Sequence, residues 1–159
     1  MFFQSITQIK DAGFSGFKSV EDLYHVGYDS IPERGGVYLI LRMSESKPVF
    51  IPKGTGGCFK GKEPNVSVGE LKAHWVDGTC VMYIGQSTNL RKRLRDYMRF
   101  GHGKNVGHYG GRYIWQLSNC DDLVVCWKPT DNNPCMEEKR WMQEFVDYYG
   151  SLPFANLQY

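Results

Sequence analysis

The chain changes its hydrophobic period along its length, and does so in short pieces. Val37-Tyr38-Leu39-Ile40-Leu41 is launched from the turn segment Ile31-Pro32-Glu33-Arg34-Gly35-Gly36, and Cys80-Val81-Met82-Tyr83-Ile84 is stopped by Gly85. Apolar runs of this length, bounded by glycine, have strand character. Residues 90–100 and 135–149 instead repeat apolar side chains at helical spacing. The first of these follows Ser87-Thr88-Asn89, which offers helix caps, and the second stops at Gly150 with Pro153 beyond. Two further strands are predicted over 113–117 and 123–127, and shorter helices over 4–12, 19–28 and 69–77. The outline β, β, α, β, β, α predicts an α/β (α+β) fold, a small central antiparallel sheet flanked by helices. A length of 159 residues suits one domain over 1–159. Residues 1–34 then form an N-terminal extension. Residues 43–80 form a long insert between the first two strands, loosest where prolines, glycines and lysines crowd 43–70.

Several classes are excluded at this level. No run of 18 apolar residues exists, so no membrane span is expected. Residues 1–13 lack a basic segment followed by a long apolar one, so no secretory signal is read there. The expected location is the cytoplasm. The five cysteines (Cys58, Cys80, Cys120, Cys126 and Cys135) are odd in number and contain no CxxC pair, which argues against a disulfide framework and against structural zinc. Net charge is only +2, but residues 86–115 carry Arg91, Lys92, Arg93, Arg95, Arg99, Lys104 and Arg112 against Asp96 alone. Such a patch is either a solvated face or an attractor of phosphate backbones.

Two charged residues stand where a core-facing surface would not choose them. With Leu90 at zero on a helix turning about 100° per residue, Leu94, Met98, Tyr97 and Phe100 define one apolar arc. Arg91, Lys92, Arg95 and Arg99 form a basic stripe on the other side. Arg93 falls near about 300°, between Phe100 and Tyr97. A guanidinium cannot shed its charge, so at that position it either reaches out at the arc edge or meets an anion. On the last helix Trp141, Met142, Phe145 and Tyr149 define the apolar arc, and Glu138 falls in its middle. A carboxylate among aromatic rings must be neutral, paired or metal-bound. Arg93 and Glu138 are thus either an internal ion pair or parts of a site.

These residues belong to a larger pattern. Gly36-Val37-Tyr38 and Tyr83-Ile84-Gly85 resemble the paired strand motifs that name the GIY-YIG nucleases. In that family an arginine on the next helix lies ten residues after the second motif's tyrosine, which is Arg93 here. A glutamate on a later helix precedes a large apolar residue, as Glu138 precedes Trp141, and an asparagine follows that helix, as Asn156 does. The stretch Tyr83 to Leu94 is similar to the nuclease domain of bacterial nucleotide-excision-repair incision enzymes, which also carry a tyrosine at the position of Tyr97. The 44 residues between Tyr38 and Tyr83 exceed the usual family spacing and resemble the enlarged arrangement of some restriction enzymes.

The resemblance implies a metal-dependent endonuclease acting on DNA. Glu138 is then the ligand of a single Mg²⁺ or Mn²⁺, Arg93 the group that stabilises the phosphate, and a tyrosine the activator of water. Tyr38 is the favoured base and Tyr83 its neighbour near the nucleophile. Tyr97 fills core or positions Arg93, and Asn156 binds phosphate or holds its turn. Arg91, Arg95, Arg99, Lys104 and Arg112 are expected along the DNA backbone, which positions DNA without reading sequence. His102 and His108, in a glycine-rich loop, are candidates for proton transfer or DNA contact. The competing expectation is a non-catalytic nucleic-acid-binding module on the same fold.

Overall fold

Ser5, Ser19, Ser67, Asn89 and Asn133 each accept a hydrogen bond from a backbone N–H two or three residues ahead, and each starts a helix. Capping of this kind satisfies N–H groups that the helix itself cannot. The helices are α1 (Ile6–Asp11), α2 (Val20–Val26), α3 (Val68–His74), α4 (Leu90–Gly101) and α5 (Pro134–Tyr149). Pro134 opens α5, and Gly150, at φ 76°, closes it. The strands are β1 (Ser15–Ser19), β2 (Gly36–Leu41), β3 (Val81–Ser87) and β4 (Val124–Pro129). They form one sheet in the order β1-β4-β2-β3, with every neighbouring pair antiparallel. The computed structural model describes residues 3–158, so the outermost ends of the expected 1–159 domain lie outside the described residues.

The small antiparallel sheet with flanking helices is therefore present, but one strand is exchanged for another. The segment predicted as a strand over 113–117 is a 3₁₀ turn, Arg112–Gln116, in which Tyr113, Ile114, Trp115 and Gln116 are all buried. A strand buries alternate residues on one face, whereas this turn buries four in a row by plugging the core. The fourth strand is β1, at the sheet edge beside β4. It is mostly exposed, and a bulge at Gly16 and Phe17 interrupts it. The Trp127 ring lies against Gly16, leaving no room for a Cβ there.

The alternation of β2 divides the core. Val37, Leu39 and Leu41 pack with Ile84, Cys126 and the α5 residues Trp141, Met142 and Phe145. Tyr38 and Ile40 point to the opposite face, with Tyr83, Leu94, Tyr97, Ile114 and Trp115. Ile40 pairs with Tyr83 but Leu41 pairs with Val81, so Met82 is an extra residue, a bulge one position before the second tyrosine. The insert folds back onto the body through the buried amide of Gln116. That amide donates to Ile51 O at 3.1 Å and Val66 O at 2.9 Å, and its oxygen accepts from Val66 N at 3.0 Å. The open edge of β3 is partly covered by the C-terminal segment, where Ala155 N donates to Met82 O at 2.9 Å. No helix among the described residues is long and apolar enough to cross a membrane.

Candidate active site

β2 and β3 place their tyrosines side by side because of register. Tyr38 pairs with Gly85 and Ile40 with Tyr83, and paired residues share a face. The Tyr38 ring lies directly over Gly85. A Cβ at that position would sit 2.3 Å from Tyr38 Cζ, so only glycine permits the arrangement. The Tyr38 and Tyr83 ring centroids are 6.1 Å apart. Burial pushes the Tyr38 phenol well above its usual 10.0, and Tyr83 adds to the rise. The charge of Arg93 and its hydrogen bond to Tyr38 pull the other way. Burial pushes the Tyr83 phenol up to about 12, against the pull of Arg93.

Arg93 and Glu138 arrive from opposite layers. α4 begins at Leu90 and α5 at Pro134, so both helical wheels hold. Both side chains are half-buried and line one cleft of about 580 Å³ together with Tyr38, Tyr83, Gln86 and Arg112. Among the described residues the two do not form an ion pair within 4.0 Å, although the Glu138 carboxyl feels the Arg93 charge. Arg93 Nη1 donates a long bond of 3.4 Å to Gly107 O. Burial raises the Glu138 carboxyl above its usual 4.5, opposed by Lys139 and Arg93. Among the described residues no group of three His, Cys, Asp or Glu side chains could hold a metal ion. Glu138 is the one carboxylate among the described residues that lines the cleft. Mg²⁺ keeps much of its water and takes one or two carboxylates plus phosphate oxygens from a substrate.

Tyr97 is fully buried and does not line the cleft. Its hydroxyl donates to Gly111 O at 2.6 Å, and its ring stacks on His108 with centroids 3.8 Å apart and planes within 3°. His108 in turn lies 3.2 Å from the Tyr38 hydroxyl. Tyr97 therefore supports the 102–111 loop, and through it the first tyrosine. Asn156 does line the cleft, although it is only 6% exposed. Its oxygen accepts from Ile84 N and its nitrogen donates to Ile84 O, both at 2.9 Å, so it clamps the C-terminal turn to β3.

The basic residues separate into four groups. Arg91 is tied into the turn before β2 by Glu33 and by the carbonyls of Ile31 and Asp29. Arg95 and Arg99 are exposed on the side of α4 near Tyr28, where their charges act on its phenol, and they do not line the cleft. Lys104 is exposed in the loop. Arg112 alone among the five reaches the cleft, its guanidinium 4.2 Å from the centroid of the Tyr109 ring. His102 stacks on Tyr24 at 3.6 Å and sits away from the cleft.

The cleft wall also includes Gln86, Tyr109 and Gly110. Gln86 directly follows the second strand motif and could have been flagged by position. Tyr109 and Gly110 belong to a loop without period, and no sequence signal marks them. No family model, no curated protein and no solved structure matches the chain.

Proposed function

We propose that the chain is a metal-dependent endonuclease that hydrolyses DNA phosphodiester bonds, in line with the resemblance of its motifs to the GIY-YIG nucleases. One observation carries the reading. Tyr38, Tyr83, Arg93 and Glu138, drawn from β2, β3, α4 and α5, face one cleft, and the arginine and glutamate do not neutralise each other there. A structural ion pair would have closed that gap, since partly buried charges without partners are costly.

Each part has a task in phosphodiester hydrolysis. Arg93 binds the phosphate oxygens and stabilises the negative charge that builds on them, through charge-assisted hydrogen bonds. Tyr38 faces the attacking water and takes its proton, and Tyr83 lines the same wall beside it. Glu138 would hold Mg²⁺ or Mn²⁺, and such an ion, when bound, supplies charge neutralisation at the phosphate and at the leaving 3′ oxygen. Arg112 holds a neighbouring phosphate and so sets the strand in the cleft. Arg95 and Arg99 lie outside the cleft near Tyr28, so they engage DNA only where it extends along α4.

The test is cleavage and binding measured on the same variants. Arg93→Ala and Glu138→Ala should each abolish cleavage while DNA binding in EDTA stays within about threefold of wild type, because backbone contacts elsewhere supply most of the affinity. A wild-type protein that binds DNA in a salt-sensitive way yet cuts none would favour the binding module.

A further inference from the structure

His108 lies in a loop with no helical or strand period, yet its imidazole is fully buried and engaged at both nitrogens. Nδ1 is 2.9 Å from Gly110 O and Nε2 is 3.2 Å from the Tyr38 hydroxyl oxygen. A carbonyl oxygen can only accept, so Nδ1 carries the hydrogen. Burial, then the Arg93 charge, hold the imidazole well below its usual 6.5, which keeps it neutral. Nε2 is then a bare acceptor, and the Tyr38 hydroxyl donates to it. The ring plane is fixed from the side by the stacked Tyr97. Gly111, at φ 73°, lets the loop come this close, since a Cβ there would sit 2.4 Å from the Tyr97 hydroxyl.

Resting on the nuclease reading of the cleft, we propose that His108 acts through Tyr38, as the acceptor that receives the phenol's proton while Tyr38 takes one from the attacking water. With its own hydrogen directed at Nε2, the Tyr38 oxygen presents only lone pairs to the cleft, the arrangement a base requires. Burial opposes a standing phenolate and a standing imidazolium alike, so the relay forms the imidazolium only during the step and never populates the phenolate.

The protons and bonds balance. A water O–H bond breaks and its proton goes to Tyr38 Oη, while the Tyr38 proton goes to His108 Nε2. The hydroxide oxygen bonds to phosphorus, the bond from phosphorus to the 3′ oxygen breaks, and that oxygen takes a proton from solvent. The imidazolium formed keeps both hydrogens partnered, on Gly110 O and Tyr38 Oη. His108 has no exposed surface, so its proton returns to water through Tyr38 once product has left.

The experiment is single-turnover cleavage of supercoiled plasmid in Mg²⁺ by wild type, Tyr38→Phe, His108→Gln and the double variant, with DNA affinity measured in EDTA. His108→Gln should cut about 100-fold more slowly, within the range for losing one proton-transfer partner. Its affinity should be unchanged. The double variant should be no slower than Tyr38→Phe, because a residue that acts through Tyr38 has nothing to add once the hydroxyl is gone. Rates that multiply in the double variant, or His108→Gln cutting as fast as wild type, overturn the relay and leave the nuclease reading standing. A wild type that cuts no DNA overturns both. Should His108→Gln fail to fold, ¹⁵N NMR of the wild-type imidazole decides. Nδ1–H with a free Nε2 at neutral pH supports the relay, and the opposite tautomer refutes it.

Discussion

Replacing Gly85 by alanine probes the packing that holds the first tyrosine in place. The new Cβ would lie 2.3 Å from Tyr38 Cζ and 2.5 Å from its hydroxyl oxygen. Carbon atoms settle at about 3.5–4.0 Å, so the ring must withdraw by more than about 1 Å. It has little room, because it is 1% exposed and packs against the Tyr83 and Tyr97 rings. Overpacking of this kind costs about 1–3 kcal/mol, and each kcal/mol lowers Tm by about 2–4 °C in a chain of this size. The displacement also disturbs the 3.2 Å contact with His108. A reacting group misplaced by about 1 Å loses on the order of 100-fold in rate. Urea unfolding and single-turnover plasmid cleavage read the two effects separately. Gly69→Ala on α3 is the control. Its Cβ would meet nothing nearer than Ser67 Oγ at 4.0 Å, so it should stabilise by about 0.5–1 kcal/mol and leave cleavage alone. If Gly85→Ala is as stable and as fast as wild type, the Tyr38 ring is not held as described.

Other perturbations separate structure from function. Asn156→Ala removes both partners of the Ile84 peptide and should cost about 2–4 kcal/mol in urea unfolding. Arg91→Ala should lower Tm but leave DNA affinity unchanged, since its guanidinium is held by Glu33 and two carbonyls. Arg112→Ala should instead weaken DNA binding and reduce the slope of log K against log salt by about 1. His108 also sets a pH dependence. Tyr38, Tyr97, Arg93 and the Gly110 carbonyl surround it, and its folded pKa lies below the unfolded value near 6.5. The unfolded chain therefore binds the proton first, and the stability that His108 contributes is present above about pH 6.5 and lost as pH falls below it. The loss is about 1.4 kcal/mol per pH unit while the folded imidazole stays neutral, and urea titrations from pH 7 to 5 should show it in wild type and not in His108→Gln.

Much of the site can be read from the sequence because helices are periodic. Arg93 and Glu138 stand out against apolar arcs, and the arcs are where the structure has them. The two tyrosines sit in short apolar runs beside glycine, which the structure folds as β2 and β3. The missing pieces lack such a signal. β1 is an exposed edge strand held by its pairing to β4 and by the Gly16–Trp127 contact, neither of which leaves an alternating pattern. Tyr113-Ile114-Trp115 is as apolar as a strand but is buried on all sides as a turn. The contact between His108 and Tyr38 spans 70 residues through a glycine-rich loop, and only the path of that loop brings them together. The basic stripe on α4 is visible in sequence, but whether its members reach the cleft is not, because the packing of α4 against α2, β2 and β3 sets how the helix is turned.

On the proposed function this cleft cuts DNA and Glu138 holds the metal it needs. The most direct measurement is cleavage of supercoiled plasmid, branched DNA and single-stranded DNA by wild type and Glu138→Ala, in Mg²⁺, in Mn²⁺ and in EDTA. Wild type should cut at least one DNA form with either ion and none in EDTA, and Glu138→Ala should cut none under any condition. Cutting by wild type in EDTA, equal cutting by Glu138→Ala, or no cutting of any form would contradict that function.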